Sequence, residues 1–224
     1  MEMRSSLCLI LILLVSAFAP AGKGSFSPAP AVAAPSEGGH GEVRVLLMVC
    51  NNYGANYNLV RDVMELYGWD LTTVGVTPTV TPCFYGGPIT VDTLVTEITD
   101  VSGFDVLAIM TSRVAQTGGS HAQLLASPEA LDLVSQAAAE SLFILAMCGG
   151  TRVLAAAGVI DGVTVTGKDE YLQEYLDAGA VWAGETDVPV LDGNILTSLR
   201  NQINARRICE IIRTYMAEKR AGAR

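Results

Sequence analysis

Hydrophobic and polar positions along this chain fall into two periods that alternate. Residues 42–49, 104–110 and 142–147 are near-continuous apolar runs of the length of fully buried strands. Between the first two, residues 57–67 carry Leu59, Val60, Val63 and Leu66 on one helical face, and Gly68 closes the pattern. Residues 70–76 read as a second strand, so the opening is a β-α-β unit of the kind that builds parallel sheets. Three prolines and Gly86-Gly87 break residues 77–88 into a meandering connection or short edge strands, and residues 91–98 read as a short helix. Ser127, Pro128 and Glu129 form a helix start, with a cap followed by proline at the first helical position, and the helix runs to residue 139. After the apolar run at 142–147, residues 151–157 suit a helix ended by Gly158. Residues 163–166 read as a strand, 170–177 as a helix and 181–183 as a strand. Residues 188–191 and 194–197 flank Asp192-Gly193, a hairpin signal. A last helix, 203–216, places Ile208, Ile211, Ile212 and Tyr215 on an apolar stripe. This order predicts an α/β fold, a doubly wound, mostly parallel sheet sandwiched by helices.

One joint in that pattern concentrates chemistry. Cys148 falls between the apolar run and the helix that follows, with Ala146 two residues before it and Gly150 two after. Small residues there let strand and helix approach across a tight turn, the steric requirement of a nucleophile elbow. Such a turn would present the sulfur at the carboxyl end of the sheet, where a helix N-terminus lowers a thiol pKa and backbone N–H groups can receive an oxyanion. The plainer alternative is a buried, inert cysteine in an ordinary turn. Two further loops are expected at carboxyl strand ends, residues 50–57 and the stretch 111–121 that holds Gly118-Gly119.

Composition narrows the classes. The chain has 224 residues, half of them hydrophobic, enough for one large core in one domain. A formal net charge of -9 and a pI near 4.6 argue against nucleic acid or an anionic membrane surface as partner, and 6% aromatic content leaves little for stacking on bases. Arg4, an apolar stretch at 7–18 and small residues at 19–21 predict a signal peptide over residues 1–21 and export to a periplasmic or extracellular space. Membrane contact would then come only through an uncleaved signal. Residues 22–41, rich in Ala, Pro and Gly, read as a linker, and residues 42–224 as the folded domain. Cys50, Cys83, Cys148 and Cys209 remain after processing, an even number that invites a disulfide reading in an oxidising compartment. No CxxC pair occurs and the histidines are His40 and His121, so neither a metal site nor a cofactor is expected.

Several motifs, in order, carry a resemblance: Asp62-Val63-Met64 after the first strand, Phe104-Asp105-Val106-Leu107 before a Gly-Gly loop, Ala146-Met147-Cys148-Gly149-Gly150, Leu154 to Gly158 with Val165-Thr166 beyond, and Val190 through Ser198. Over residues 43–215 the chain resembles the PfpI and parkinsonism-associated deglycase family of the class I glutamine amidotransferase-like superfamily, whose fold is flavodoxin-like. The resemblance implies a nucleophile at Cys148, with backbone N–H groups of Gly149 and the Gly118-Gly119 loop as an oxyanion hole. It also marks departures. The acidic position of the first loop is Asn56, without charge. Many members carry a histidine directly after the cysteine or behind the next strand, and those positions are Gly149 and Gly167 or Lys168 here. Residues 111–116 are inserted before Thr117-Gly118-Gly119, where the family has Pro-Gly-Gly directly after the strand.

Two residues are candidates to compensate. His121, beyond the Gly-Gly pair, is a base or orienter for Cys148, or else a solvated loop histidine. Lys168 would hold Cys148 as a thiolate by charge, or else belongs to a solvated cluster with Asp169 and Glu170. Arg113 would grip an anionic substrate, or is an ordinary loop arginine. Cys50 ends the first strand, a near neighbour of the Cys148 strand in the resembled fold, and offers a redox partner. Cys83 and Cys209 are expected to be structural and buried. Three functions follow: a cysteine-dependent hydrolase or lyase acting on a small carbonyl or amide compound, with Tyr53, Asn56 and His121 at the pocket mouth; a non-catalytic module binding a small molecule; or a cysteine redox sensor. The resemblance also implies a homo-oligomer, a dimer being the common case.

Overall fold

Every residue of the first strand after its start is buried, which requires cover on both faces and both edges. In a computed structural model, which describes residues 43–83, 86–112, 119–199 and 201–222 (without the side chains of 201–203), that cover is complete. Strand β1, Arg44–Val49, is paired in parallel with β2, Asp70–Gly75, on one side and with β6, Val106–Met110, on the other. Between β2 and β6 lie β3, Thr79–Val80, β4, Ile89–Thr90, and β5, Thr93–Leu94. β7, Phe143–Met147, adds to β6; the hairpin β10, Val190–Asp192, and β11, Ile195–Ser198, adds to β7. The sheet order is β10-β11-β7-β6-β1-β2-β5, parallel except for the β10–β11 hairpin. The expected signal peptide and linker lie outside the described residues.

Strand periodicity sorts the core into two layers. Val45, Leu47 and Val49 of β1 face the layer built with α1, Ala55–Leu66, and α6, Asn201–Gly222. Leu46 and Met48 face the other layer, with α2, Ser120–Leu125, α3, Pro128–Ala139, α4, Gly150–Ala156, and α5, Leu172–Asp177. Ser127 caps α3 as expected, its hydroxyl accepting the Ala130 N–H at 3.2 Å. A separate pair of parallel strands, β8, Thr164–Val165, and β9, Val181–Trp182, lies outside the main sheet and is tied to it where the Asp192 carboxylate accepts the Thr164 N–H at 2.7 Å.

Three expectations are corrected. The buried face of α1 is Tyr57, Val60 and Met64, whereas Leu59 is exposed and Leu66 is 79% exposed; packing against α6 selects the i, i+3, i+7 row rather than the most aliphatic one. Residues 91–98 are not a helix. They form β5 and a single 3-10 turn, Val95–Glu97, because Asp92 takes both the Thr73 N–H at 2.7 Å and its hydroxyl, and so pins a β-branched segment to β2. Cys209 is fully buried and its thiol is pushed up to about 12 by burial, but Cys83 is only half-buried.

Candidate functional site

Cys148 occupies the first position after β7, and its φ of 56° lies in the left-handed region that side chains rarely adopt. The surrounding chain holds it there. Its N–H donates to the Ser198 carbonyl at 2.8 Å, and the Thr111 hydroxyl donates to the Met147 carbonyl at 2.6 Å, so both neighbouring strands fix the turn. A Cβ at Gly150 would come within 3.3 Å of Ala146 Cβ and of the Ile109 carbonyl, which is why the sequence has small residues at both positions. Cys148 is 7% exposed, and none of the four described cysteines is in a disulfide.

His121 stands beside this turn. It lies in α2 rather than in a solvated loop, and is 4% exposed. A Cβ on Gly149 would lie 2.7 Å from His121 Nδ1 and 2.8 Å from Cγ, so the imidazole occupies the space that a side chain at 149 would take. Nδ1 is buried with no hydrogen-bond partner among the described residues, and the Ser112 backbone lies close enough to act on the ring. Burial first, and then the charge of Arg152, hold His121 below the ordinary histidine pKa, so the ring is neutral near pH 7. Arg152 lies 4.0 Å over the Tyr171 ring and pairs with both Glu174 oxygens at 2.7 Å; the Tyr171 ring in turn lies 5.9 Å from that of His121.

The second vacant position has the same explanation. A Cβ on Gly167 would lie 2.6 Å from Cε2, Cζ and the hydroxyl oxygen of Tyr175. Tyr175 comes from α5, is fully buried, and stacks on Trp182 with ring centroids 5.4 Å apart. The Lys168 backbone N–H acts on its oxygen, yet among the described residues no group meets the hydroxyl at hydrogen-bonding geometry. Neither Gly149 nor Gly167 has a positive φ. Both glycines supply room, for His121 and for Tyr175.

The other expected residues separate. Asn56 is buried, but its amide is committed: Nδ2 donates to the Thr111 carbonyl and Oδ1 accepts the Tyr57 N–H at 3.0 Å. Tyr53 is 1% exposed and does not line a pocket mouth; its hydroxyl donates to the Gly87 carbonyl and its ring meets Tyr57 edge-on, tying Gly87 to α1. Lys168 pairs with Glu185, which also accepts the Asp169 N–H at 3.0 Å, so a carboxylate already offsets its charge. Gly119 caps α2, while Gly118 and Arg113 lie outside the described residues. Cys50 follows directly on β1, but β6 runs between β1 and β7. Two strand spacings of about 4.8 Å put the two cysteines about 10 Å apart, beyond the ~7 Å a disulfide spans. Cys50 is fully buried and its thiol is pushed up to about 11 by burial.

Sequence reasoning assigns no site role to Tyr175, Arg152, Thr111 or Ser198 individually. The available signal was a pair of glycines where neither turn geometry nor a helix end requires one. A groove of about 380 Å³ between α6 and Leu191 of β10 contains none of these residues. Among the described residues, His121 Nδ1, the Tyr175 hydroxyl and Ser198 Oγ are the buried side-chain polar atoms without a partner, and each belongs to a residue adjoining the Cys148 turn or the Gly167 position behind it.

A parallel α/β sandwich with a cysteine at a left-handed strand-to-helix turn defines a class of proteins. The family within it follows from the sequence profile of the DJ-1/PfpI family, which matches residues 43–211, and the chain belongs to that family. Solved structures agree on the fold. The ThiJ/PfpI domain protein of Brachyspira murdochii aligns with a TM-score of 0.67 at 16% identity, over 80% of this chain and 99% of that one. DJ-1beta of Drosophila melanogaster aligns at 0.63 and 21% identity, over 80% and 90%. A two-domain protein of Anabaena variabilis with DJ-1/ThiJ/PfpI-like and ferritin-like domains aligns at 0.65 and 18%, over 76% of this chain; the match spans 48% of that protein. No curated protein matches the sequence.

Proposed function

We propose that this protein is a cysteine-dependent enzyme acting on a small carbonyl compound, with Cys148 as nucleophile and His121 as its base. The observation that carries this reading is a buried, neutral imidazole with an unpartnered Nδ1, seated against the residue that follows a cysteine held at φ 56°. In the step envisaged, the Cys148 proton passes to His121 Nδ1 and the sulfur bonds to the carbonyl carbon. The C=O π pair moves to oxygen, and the imidazolium returns its proton there, giving a neutral hemithioacetal. The Gly149 N–H is the backbone donor next to the developing oxyanion.

The test is consumption of a panel of small aldehydes and ketones, compared with that by Cys148→Ser and His121→Gln. Loss of activity in the first and a fall of about 100- to 10,000-fold in kcat/KM in the second are expected. Full activity in Cys148→Ser refutes the reading. A ligand that binds equally well to wild type and Cys148→Ala, without turnover, would instead favour a binding module. Export by residues 1–21 and assembly as a dimer belong to the same proposal; amino-terminal sequencing of the secreted form and sedimentation test them.

A further inference from the structure

The groove of about 380 Å³ is a feature that the chemistry at Cys148 does not use. One wall is Leu191 of β10, the outer strand of the sheet, and this side chain is 43% exposed. The other wall is a single face of α6, made of Arg207, Glu210, Ile211, Thr214, Tyr215 and Glu218 at the i, i+3, i+4, i+7 spacing of a helix. Ile208, Cys209, Ile212 and Met216 on the other side of the helix are buried in the core, so this face is the one left to solvent. Ile211 and Tyr215 are half-buried and the remaining four are exposed. Among the described residues, no ion pair includes Arg207, Glu210 or Glu218. Arg207 and Glu218 stand about 16 Å apart along the helix at 1.5 Å per residue, out of reach of one another.

The order of these residues is self-complementary. Reversed about a point between Ile212 and Arg213, the face maps onto itself: Arg207 takes the place of Glu218, Glu210 that of Tyr215, and Ile211 that of Thr214. An isologous contact across a two-fold axis has this property, since residue i meets j and j meets i. Packed antiparallel, two α6 helices set Arg207 against the partner's Glu218 at both ends of the contact. Ile211 and the partner's Thr214 fall at the centre, and Glu210 falls opposite the partner's Tyr215, whose hydroxyl can donate to a carboxylate. Parallel packing would instead set each charge against its own copy, which is repulsive.

We propose that this face of α6, with Leu191 beside it, is the interface of a homodimer whose two α6 helices run antiparallel. The proposal rests on the dimer named above and gives it a surface; it is independent of the reaction at Cys148. Complementary charges set the register, and cover over Leu191, Ile211 and the Tyr215 ring supplies the apolar part of the contact.

The experiment is sedimentation velocity of the wild-type protein, of Arg207→Glu, of Glu218→Arg, and of an equimolar mixture of the two variants, with native mass spectrometry to identify the species in the mixture. Each variant alone brings like charges together at both ends of the contact. Its dimer dissociation constant should rise about 100-fold, about tenfold at each of two sites. In the mixture every altered position again meets an opposite charge, so a heterodimer should form with about wild-type strength, and the double variant Arg207→Glu/Glu218→Arg should recover a homodimer. Circular dichroism should be the same for all, because both residues are exposed and lie outside the core. A single variant that dimerises as wild type does overturns the surface and leaves the dimer standing. Single variants that stay monomeric when mixed overturn the antiparallel register. A monomeric wild type overturns surface and dimer together, and assigns the groove to residues 22–41 of the same chain or to another protein. Aldehyde turnover enters none of these readouts, so failure of the enzyme reading is separable from failure of this one.

Discussion

Gly149→Ala tests the seat of His121 most directly. The glycine has φ -70° and ψ -3°, a conformation that alanine adopts freely, so the backbone offers no objection. In open space such a replacement would stabilise by about 0.4–1 kcal/mol through the unfolded state. Here the new methyl would lie 2.7 Å from His121 Nδ1, 2.8 Å from Cγ and 3.0 Å from Cβ, against about 3.5–4.0 Å for ordinary contact between carbon atoms. The ring cannot yield cheaply, because it is 4% exposed and packed near the Tyr171 ring. Overpacking of this kind costs about 1–3 kcal/mol, which leaves a net loss of about 1–2 kcal/mol. For a domain of this size that lowers Tm by about 2–8 °C, well within the reach of calorimetry. His121→Ala in the same background removes the two shortest contacts, those with the ring, and leaves only the 3.0 Å approach to Cβ, so the double variant should be more stable than the sum of the single effects by about 0.5–3 kcal/mol. A Gly149→Ala protein as stable as wild type, or more so, would refute the placement of the imidazole and with it the base assigned to Cys148.

Two further outcomes follow from burial. His121 has a folded pKa below its unfolded value of 6.5, so the unfolded chain binds the proton first; the contribution to stability is complete above pH 6.5 and is lost as pH falls through the folded pKa. The Tm of wild type should therefore fall more steeply than that of His121→Gln on acidification below pH 6.5, and parallel curves would count against a neutral buried imidazole. Cys50, with its thiol raised to about 11, should resist iodoacetamide at pH 8 under conditions that label the half-buried Cys83, as read by peptide mass spectrometry; equal labelling of the two would contradict the packing of β1.

Much of the fold was legible because its signals are local. The apolar runs at 42–49, 104–110 and 142–147 could be buried only as inner strands of a parallel sheet, and Ser127-Pro128 could only begin a helix. Ala146 and Gly150 disclosed the tight turn at Cys148 because both small residues serve contacts within one strand-to-helix unit. Residues 91–98 were misread because Asp92 has its partner at Thr73, on another strand, and a tertiary hydrogen bond overrides local helix propensity. The stripe of α1 was misplaced for a similar reason, since α6 decides which row faces inward.

The sequence by itself determined the helix-covered parallel sheet and the position of the site's cysteine, whereas the structure set β6 between the strands that carry Cys50 and Cys148. Only the tertiary structure decided what surrounds that sulfur. Gly149 and Gly167 look in sequence like the loss of two side chains; in space they are the room for His121 from α2 and Tyr175 from α5. The members of each pair, 28 and 8 residues apart, do not share a helix or a strand, so no periodicity along the chain couples them. Such pairs are set by how helices seat on the sheet. Steric exclusion acts between neighbours in space, and local periodicity is blind to it.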